Sequence, residues 1–284
     1  MSRRASGVIA IANLKGGVGK TTLALGMSYA LGELGYNTLI VDLDPQAHLT
    51  GALYRDVFFD RNIFDLLNAS EYRIRNTDLT NVKLLPSNLE TYAMIYGLGY
   101  SFLPDVRRGN LLRRELANFD LIIIDCPPEP IFARYGLAAA DYLIAPTDIT
   151  ELSIRGLEIF IEYIFKGENT TRISGGREPL RLLGVPIVKA RRGAIYRDVV
   201  RRVRNFIEGF VHNNPQLASY IYHEPVFSTR ILSRSELREI LMVGRRRRIP
   251  PIKRILDRRR EIRDMFEALA REVVDRIMHF RGMR

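Results

Sequence analysis

Asn13-Leu14-Lys15-Gly16-Gly17-Val18-Gly19-Lys20-Thr21-Thr22 is the stretch from which the rest of this chain can be read. Its Gly-Lys-Thr tail closes the nucleoside-triphosphate loop pattern. There, backbone N–H groups cradle phosphate oxygens, a lysine reaches the terminal phosphates and a hydroxyl holds Mg²⁺. Where that pattern opens on a glycine, this chain has Leu14, and a second lysine, Lys15, follows it. Residues 7–12 are an apolar run suited to a buried strand, and residues 22–31 carry apolar side chains at helical spacing. Strand, glycine loop and helix start in that order aim the positive end of the helix dipole at the phosphates.

The same alternation continues outward. Residues 37–42, 82–86, 120–125, 142–145 and 182–188 read as further buried strands, with helices near 61–69, 109–118, 131–140 and 151–165. Continuous apolar strands separated by amphipathic helices imply an α/β fold with a mostly parallel, twisted sheet and helices on both faces. Such sheets take ligands at the carboxyl ends of their strands, where the glycine loop lies. Residues 168–179 read as a surface loop. Beyond them come a helix near 192–211, a strand near 219–223, and a helix near 233–243 with a Ser233…Glu236 capping pattern. Pro250-Pro251 break the chain before a last helix over 255–280. No linker or repeat divides the 284 residues, so one domain is expected.

Composition narrows the function classes. The single cysteine, Cys126, excludes a disulfide framework and a multi-cysteine metal or iron–sulfur site, and reads as a buried structural thiol. No run approaches the ~18 apolar residues that span a bilayer, so a cytoplasmic protein is expected. The net charge of +11 is uneven. Residues 1–180 hold 18 Lys/Arg against 21 Asp/Glu, whereas residues 181–284 hold 25 against 11. Such asymmetry points to a polyanionic partner.

Two further segments end in carboxylates. Residues 42–48 read Asp-Leu-Asp-Pro-Gln-Ala-His, and strand alternation puts Asp42 and Asp44 on one side of the chain. Asp44 there either orients a water or caps the turn before Pro45; His48 reads as a first-turn helix residue. Residues 120–128 read Asp-Leu-Ile-Ile-Ile-Asp-Cys-Pro-Pro, a dry strand delivering Asp125 to the loop.

Taken in order, these segments resemble the ParA/MinD family of deviant phosphate-loop ATPases, whose loop is written KGGxGK[ST] and whose second segment is DxDPQ. The resemblance is specific over roughly residues 7–150, and fits compact ParA-type partition ATPases best. It implies ATP and Mg²⁺ as cofactors, bound by Lys15, Gly16, Gly17, Val18, Gly19, Lys20, Thr21 and Thr22. It gives Thr21, Asp42 and Asp125 to the metal side, and makes Lys15, Lys20 and Asp44 catalytic, with Asp44 placing the attacking water. Lys15 would cross to the nucleotide of a second subunit, making ATP binding and homodimerisation one event. It further implies plasmid or chromosome segregation on the nucleoid, with a ParB-like centromere-binding partner. Adenine contacts do not carry over, because the segment after the sixth strand reads Val188-Lys189-Ala190-Arg191.

In the basic third, Ile195, Val199, Val203, Phe206 and Phe210 would face the core. Arg197, Arg201 and Arg204 would fall on the opposite side, after Arg191 and Arg192. Arg245, Arg246, Arg247 and Arg248 cross a loop, and Arg258, Arg259 and Arg260 start the last helix. These arginines are expected to bind DNA without reading sequence, through phosphate contacts. An apolar stripe from Ile262 through Val273, Val274, Ile277 and Phe280 suits docking on the domain. The rival is a MinD-like membrane helix. A nucleotide-switched DNA-binding repressor is a second alternative.

Overall fold

In the computed structural model, the described residues are 5–54, 56–90, 106–189, 193–231, 253, 256 and 258–282. Arg191, Arg192, Arg245 to Arg248, the helix near 233–243 and Pro250-Pro251 lie outside them.

Seven strands form one sheet in the order β3-β4-β2-β5-β1-β6-β8. They are β1 (Gly7–Ile11), β2 (Thr38–Asp42), β3 (Arg75–Asn76), β4 (Val82–Leu85), β5 (Leu121–Asp125), β6 (Tyr142–Ile144) and β8 (Arg181–Gly184). All pairs are parallel except β3 with β4. A separate parallel pair joins β7 (Thr147–Asp148) to β9 (Ile187–Val188).

Alternation along each strand splits the core into two. Ile9, Ile11, Ile40 and Ile123 face one cluster, built with α1 (Lys20–Glu33), α2 (His48–Leu53) and the last helix, α8 (Arg260–Gly282). Val8, Ala10, Val41, Ile122 and Ile124 face the other. That cluster draws on α3 (Ile63–Leu67), α4 (Pro130–Ala139), α5 (Glu151–Ile159) and α7 (Ala194–Asn213). Helices therefore cover both faces, as the unbroken apolar strands require.

The stripe of α8 is spent on this core: Ile262, Phe266, Leu269, Ala270, Val273, Ile277 and Phe280 are buried. Phe266 lies flat against Gly26 of α1, where even a methyl group would collide with its ring. Burying a phenylalanine this fully contributes roughly 1.5–3 kcal/mol.

Several expectations change. Residues 168–179 do not form a loop throughout, because α5 runs through a π-helical turn (Phe160–Phe165) into α6 (Lys166–Ser174). The Glu168–Arg172 ion pair at 2.7 Å and buried Asn169 hold that end. Asn169 bonds both the N–H and the carbonyl of Leu180. The strand expected over 182–188 divides at Pro186, which has no N–H to continue the ladder. Residues 219–223 are not a strand; a 3₁₀ turn (Pro215–Tyr220) leads to one bridge between Ile221 and Leu182. On α7, Ile195 is 65% exposed because the core does not extend to its first turn, and Ile207 fills the core instead, beside Val199, Val203 and Phe210.

Candidate functional site

The carboxyl ends of β1, β2 and β5 meet at one place. The register sets Ile11 beside Asp125, and Asp125 beside Asp42. The loop 12–19 leaves β1 there and enters α1. Gly17 and Gly19 adopt the left-handed region at φ +74 and +82, a turn that a β-carbon would strain. Gly16 and Gly17 are exposed with open space around them. Helix α1 starts with neither a side-chain cap nor an acidic residue in its first turn. Its leading N–H groups are therefore left for an anion.

Asn13 anchors the loop. Its buried amide donates to the Pro146 carbonyl at 2.8 Å, and its Oδ1 accepts the Lys15 N–H at 3.1 Å. Lys20 is buried and donates to the Lys15 carbonyl at 3.1 Å. Burial lowers its pKa, against the opposing pull of Asp125. Thr21 and Thr22 are half-buried at the helix start. The half-buried Lys15 runs past Gly156 of α5, where a β-carbon would lie 3.4 Å from its own Cβ. Lys20 thus folds back onto the loop, while Lys15 starts beside α5.

The carboxylates are treated unequally. Asp42 is fully buried, accepting the Asp44 N–H at 3.1 Å and both the N–H and hydroxyl of Thr50 at 2.7 Å. Burial, then the nearby Asp44, pushes its pKa up to about 7. Asp44 caps the turn: its Oδ1 accepts the Gln46 N–H at 2.9 Å, and its Oδ2 faces His48 at 3.4 Å. That bond raises the pKa of His48, the first residue of α2. Asp125 differs. Both its oxygens are buried and neither has a hydrogen-bond partner among the described residues. Burial and Asp42 drive its pKa well up, opposed by the Thr21 hydroxyl and Lys20. Cys126 is buried and free, and burial pushes its thiol up as well.

Among the described residues, no group of three or more His, Cys, Asp or Glu side chains could hold a metal ion by itself. One orphaned carboxylate beside a hydroxyl at a phosphate loop instead fits Mg²⁺, which keeps several waters and takes few protein ligands.

Two residues without a role in the sequence reading join this site. Lys189, after β9, donates to the Gly17 carbonyl at 2.7 Å and to Asp148 at 3.2 Å. It does so from a left-handed backbone, φ +56, uncommon for a lysine. Asp148 also accepts the N–H and hydroxyl of Thr150, at 2.9 and 2.6 Å, at the start of α5. Only the position of Lys189 after a strand in this fold could have marked it.

Of the described arginines, Arg197, Arg201, Arg204, Arg258 and Arg259 are exposed. Arg201 pairs with Asp198 at 2.5 Å, and Arg204 grips both oxygens of Glu224 at 3.0 Å. Arg202 does the same to Glu151 of α5, at 2.6 and 3.0 Å. No helix among the described residues is long and apolar enough to cross a membrane.

A family model described as an AAA domain matches residues 6–174. An uncharacterized protein of Methanocaldococcus jannaschii is 36% identical over 167 residues, covering 55% of this chain and 64% of that protein. The chromosome-partitioning ATPase Soj of Treponema pallidum is 30% identical over 175 residues, covering 58% and 67%. The chain spans less than two thirds of the length of the first curated relatives it matches. The structure of pNOB8 ParA bound to nonspecific DNA aligns with a TM-score of 0.80 and 23% identity over 96% of this chain and 99% of that one.

Proposed function

The chain belongs to the ParA/MinD family, and from that premise we propose that it is a ParA-like partition ATPase. It binds ATP with Mg²⁺, forms a sandwich dimer, coats DNA without sequence preference, and lets go on hydrolysis. The observation that carries this reading is a phosphate loop with two lysines, Lys20 folded onto the Lys15 carbonyl and Lys15 set beside α5, next to an orphaned Asp125.

The chain's own groups divide the work. The loop N–H groups and the start of α1 receive phosphate oxygens. Lys20, held against the Lys15 carbonyl, adds a fixed positive charge where the terminal phosphates lie. Thr21 and Asp125 hold the Mg²⁺ side, Asp125 through water; Asp42, spent on Thr50, keeps that strand end rigid. Bound Mg²⁺ supplies neutralisation of the charge that develops on the transferred phosphoryl group. Asp44 places the attacking water with Oδ2, the oxygen that faces His48 rather than the turn. Such positioning and charge stabilisation are most of what phosphoryl transfer asks of a protein.

Lys15 reaches a second copy's nucleotide. Leu152 and Ile159, exposed and seven residues apart on α5, flank the Gly156 position where Lys15 runs. An apolar stripe beside an outward lysine suits a face that a second copy covers. DNA meets the arginines of α7 and the start of α8. A DNA-bound, ParB-like partner then stimulates turnover.

The test is DNA binding as a function of salt, with ADP and with ATP, beside size-exclusion chromatography with a non-hydrolysable analogue. A steep salt slope only with ATP, together with a dimer lost in Lys15→Ala, is the expected result. A protein that stays monomeric at saturating analogue would sink the reading. Multiple turnover of ATP, accelerated by DNA, separates it from a nucleotide-switched repressor. The membrane alternative has little left to stand on, because the α8 stripe packs on α1.

A further inference from the structure

A second concentration of positive charge lies at the other end of the sheet. At the amino ends of β1, β6 and β8, a cavity of about 530 Å³ is lined by Arg113, Arg172, Arg177, Arg181 and Arg281, with Asp141 and Glu178. Asp141 is fully committed, Oδ1 to Arg113 at 2.8 Å and Oδ2 to the Val8 N–H at 2.9 Å. Glu168, behind the wall, takes both Arg172 at 2.7 Å and Arg177 at 3.3 Å. Glu178 meets Arg181 at 3.0 Å from a side chain 68% exposed. Arg113, Arg172, Arg177 and Arg181 therefore share three carboxylates, which leaves positive charge in surplus in a partly enclosed space.

Guanidinium cannot shed its proton, so burial cannot neutralise the surplus as it does for a carboxylate. The arginines also differ in what they have spent. Arg172 donates to Glu168 and to the carbonyls of Leu137, Ala138 and Glu178, which makes it a wall. Arg181 is about nine-tenths buried, yet among the described residues its guanidinium reaches only Glu178. Arg113 and Arg177 likewise engage one nitrogen each. All three side chains line the cavity. An adjoining hollow shares Asn110 and adds Arg107, Arg108 and Arg114 at the rim. Most of this patch falls within residues 1–180, where the formal balance is negative; it exists only because the fold gathers it.

We propose that this cavity binds a small phosphorylated ligand, through a dianionic phosphoryl group held by Arg181, Arg177 and Arg113. Guanidinium forks match phosphate oxygens two at a time, and a dianion cancels the surplus. Arg181 sits too deep for a duplex backbone to reach. Because Arg281 donates to the Ser6 carbonyl at 2.8 Å, the last helix closes one side of the site.

The test disables the phosphate loop first. Lys20→Ala protein is titrated calorimetrically with pyrophosphate and with inorganic phosphate at fixed low ionic strength. Saturable binding at one site is expected, weakened at least tenfold when Arg181→Gln is added. Arg177→Gln, on a partly exposed side chain, gives the same answer should the buried replacement fail to fold. Absence of saturable binding, or binding that survives either change in a folded protein, overturns the proposal. So does displacement of pyrophosphate by a short DNA duplex, which would reassign the cavity to nucleic acid. None of these results depends on ATP turnover, so the proposed function stands or falls separately.

Discussion

At the carboxyl ends of the strands a buried carboxylate is left waiting; at the amino ends of the same sheet the carboxylates are tied down and the charge to spare is positive. Asp125 has two buried oxygens without a partner, and Lys20 meets a single loop carbonyl. At the far end, Asp141, Glu168 and Arg172 are cross-linked by several bonds each. A buried polar group without a partner costs roughly 1–3 kcal/mol. A fold that leaves a carboxylate unpaired at one end and guanidinium donors unspent at the other marks both as places where something binds, with opposite signs of charge on offer.

The largest effect on stability is expected at the tied end. Arg172→Met removes a buried guanidinium from Glu168 and three carbonyls and leaves Glu168 only its longer contact with Arg177, so it should destabilise the protein by about 3 kcal/mol. Urea unfolding would show it as a lower midpoint at unchanged slope. A shift under 1 kcal/mol would mean the amino-end network is decoration, and the contrast between the two ends would fail.

Lys20→Ala tests the waiting end. Truncating a buried charge that meets a charged partner costs about 2–5 kcal/mol, roughly a 30- to 4,000-fold loss of ATP affinity. Fluorescent-nucleotide titration reads it directly, and unfolding in the absence of nucleotide should change far less than for Arg172→Met. Asp125→Asn is predicted to act in opposite senses on the two states. Without nucleotide, removing a buried, unpartnered carboxylate should raise stability by about 1–3 kcal/mol. With nucleotide, the gain in affinity that Mg²⁺ gives should disappear. Destabilisation of the nucleotide-free protein would show that Asp125 is a structural group after all.

The two ends were also unequally legible in the sequence. The carboxyl end is written in contiguous runs, residues 13–22, 42–48 and 120–128, because a strand and the loop that leaves it are neighbours in the chain. Those runs marked the strands that carry Asp42 and Asp125, which the sheet then sets in register. The amino-end cavity draws Arg113, Arg172, Arg181 and Arg281 from separate elements, and no local pattern announces them. Lys189 escaped for a related reason: its partner Gly17 lies 172 residues away, joined only through β9. The helix over Lys166–Ser174 was hidden by residues that favour loops, Asn169, Thr170 and Thr171. Tertiary bonds from Asn169 to Leu180, and hydroxyl bonds from both threonines to carbonyls one turn back, overrode that preference. Ile195 is exposed and Ile207 buried because periodicity gives the buried face of α7 but not how far along the helix the core extends.

The smallest effect sharpens the contrast between a satisfied and an unsatisfied carboxylate. Glu272 of α8 accepts the Ser228 and Thr229 N–H groups at 2.8 and 3.0 Å, both their hydroxyls at 2.9 Å, and Arg276 at 2.7 Å. Burial alone would raise its pKa, but these donors outweigh burial and lower it, the reverse of Asp125. A depressed carboxylate contributes stability that is fully present above its unfolded pKa, near 4.5, and is lost as pH falls through the folded value. Glu272→Gln should therefore cost about 1 kcal/mol at pH 7, and the gap to the wild type should close as the pH is taken below 4.5. Thermal midpoints of the two proteins across that range measure it. A gap that stays constant with pH would locate the contribution in the shape of the side chain rather than its charge, and the latch between Ser228 and α8 would then belong with ordinary packing.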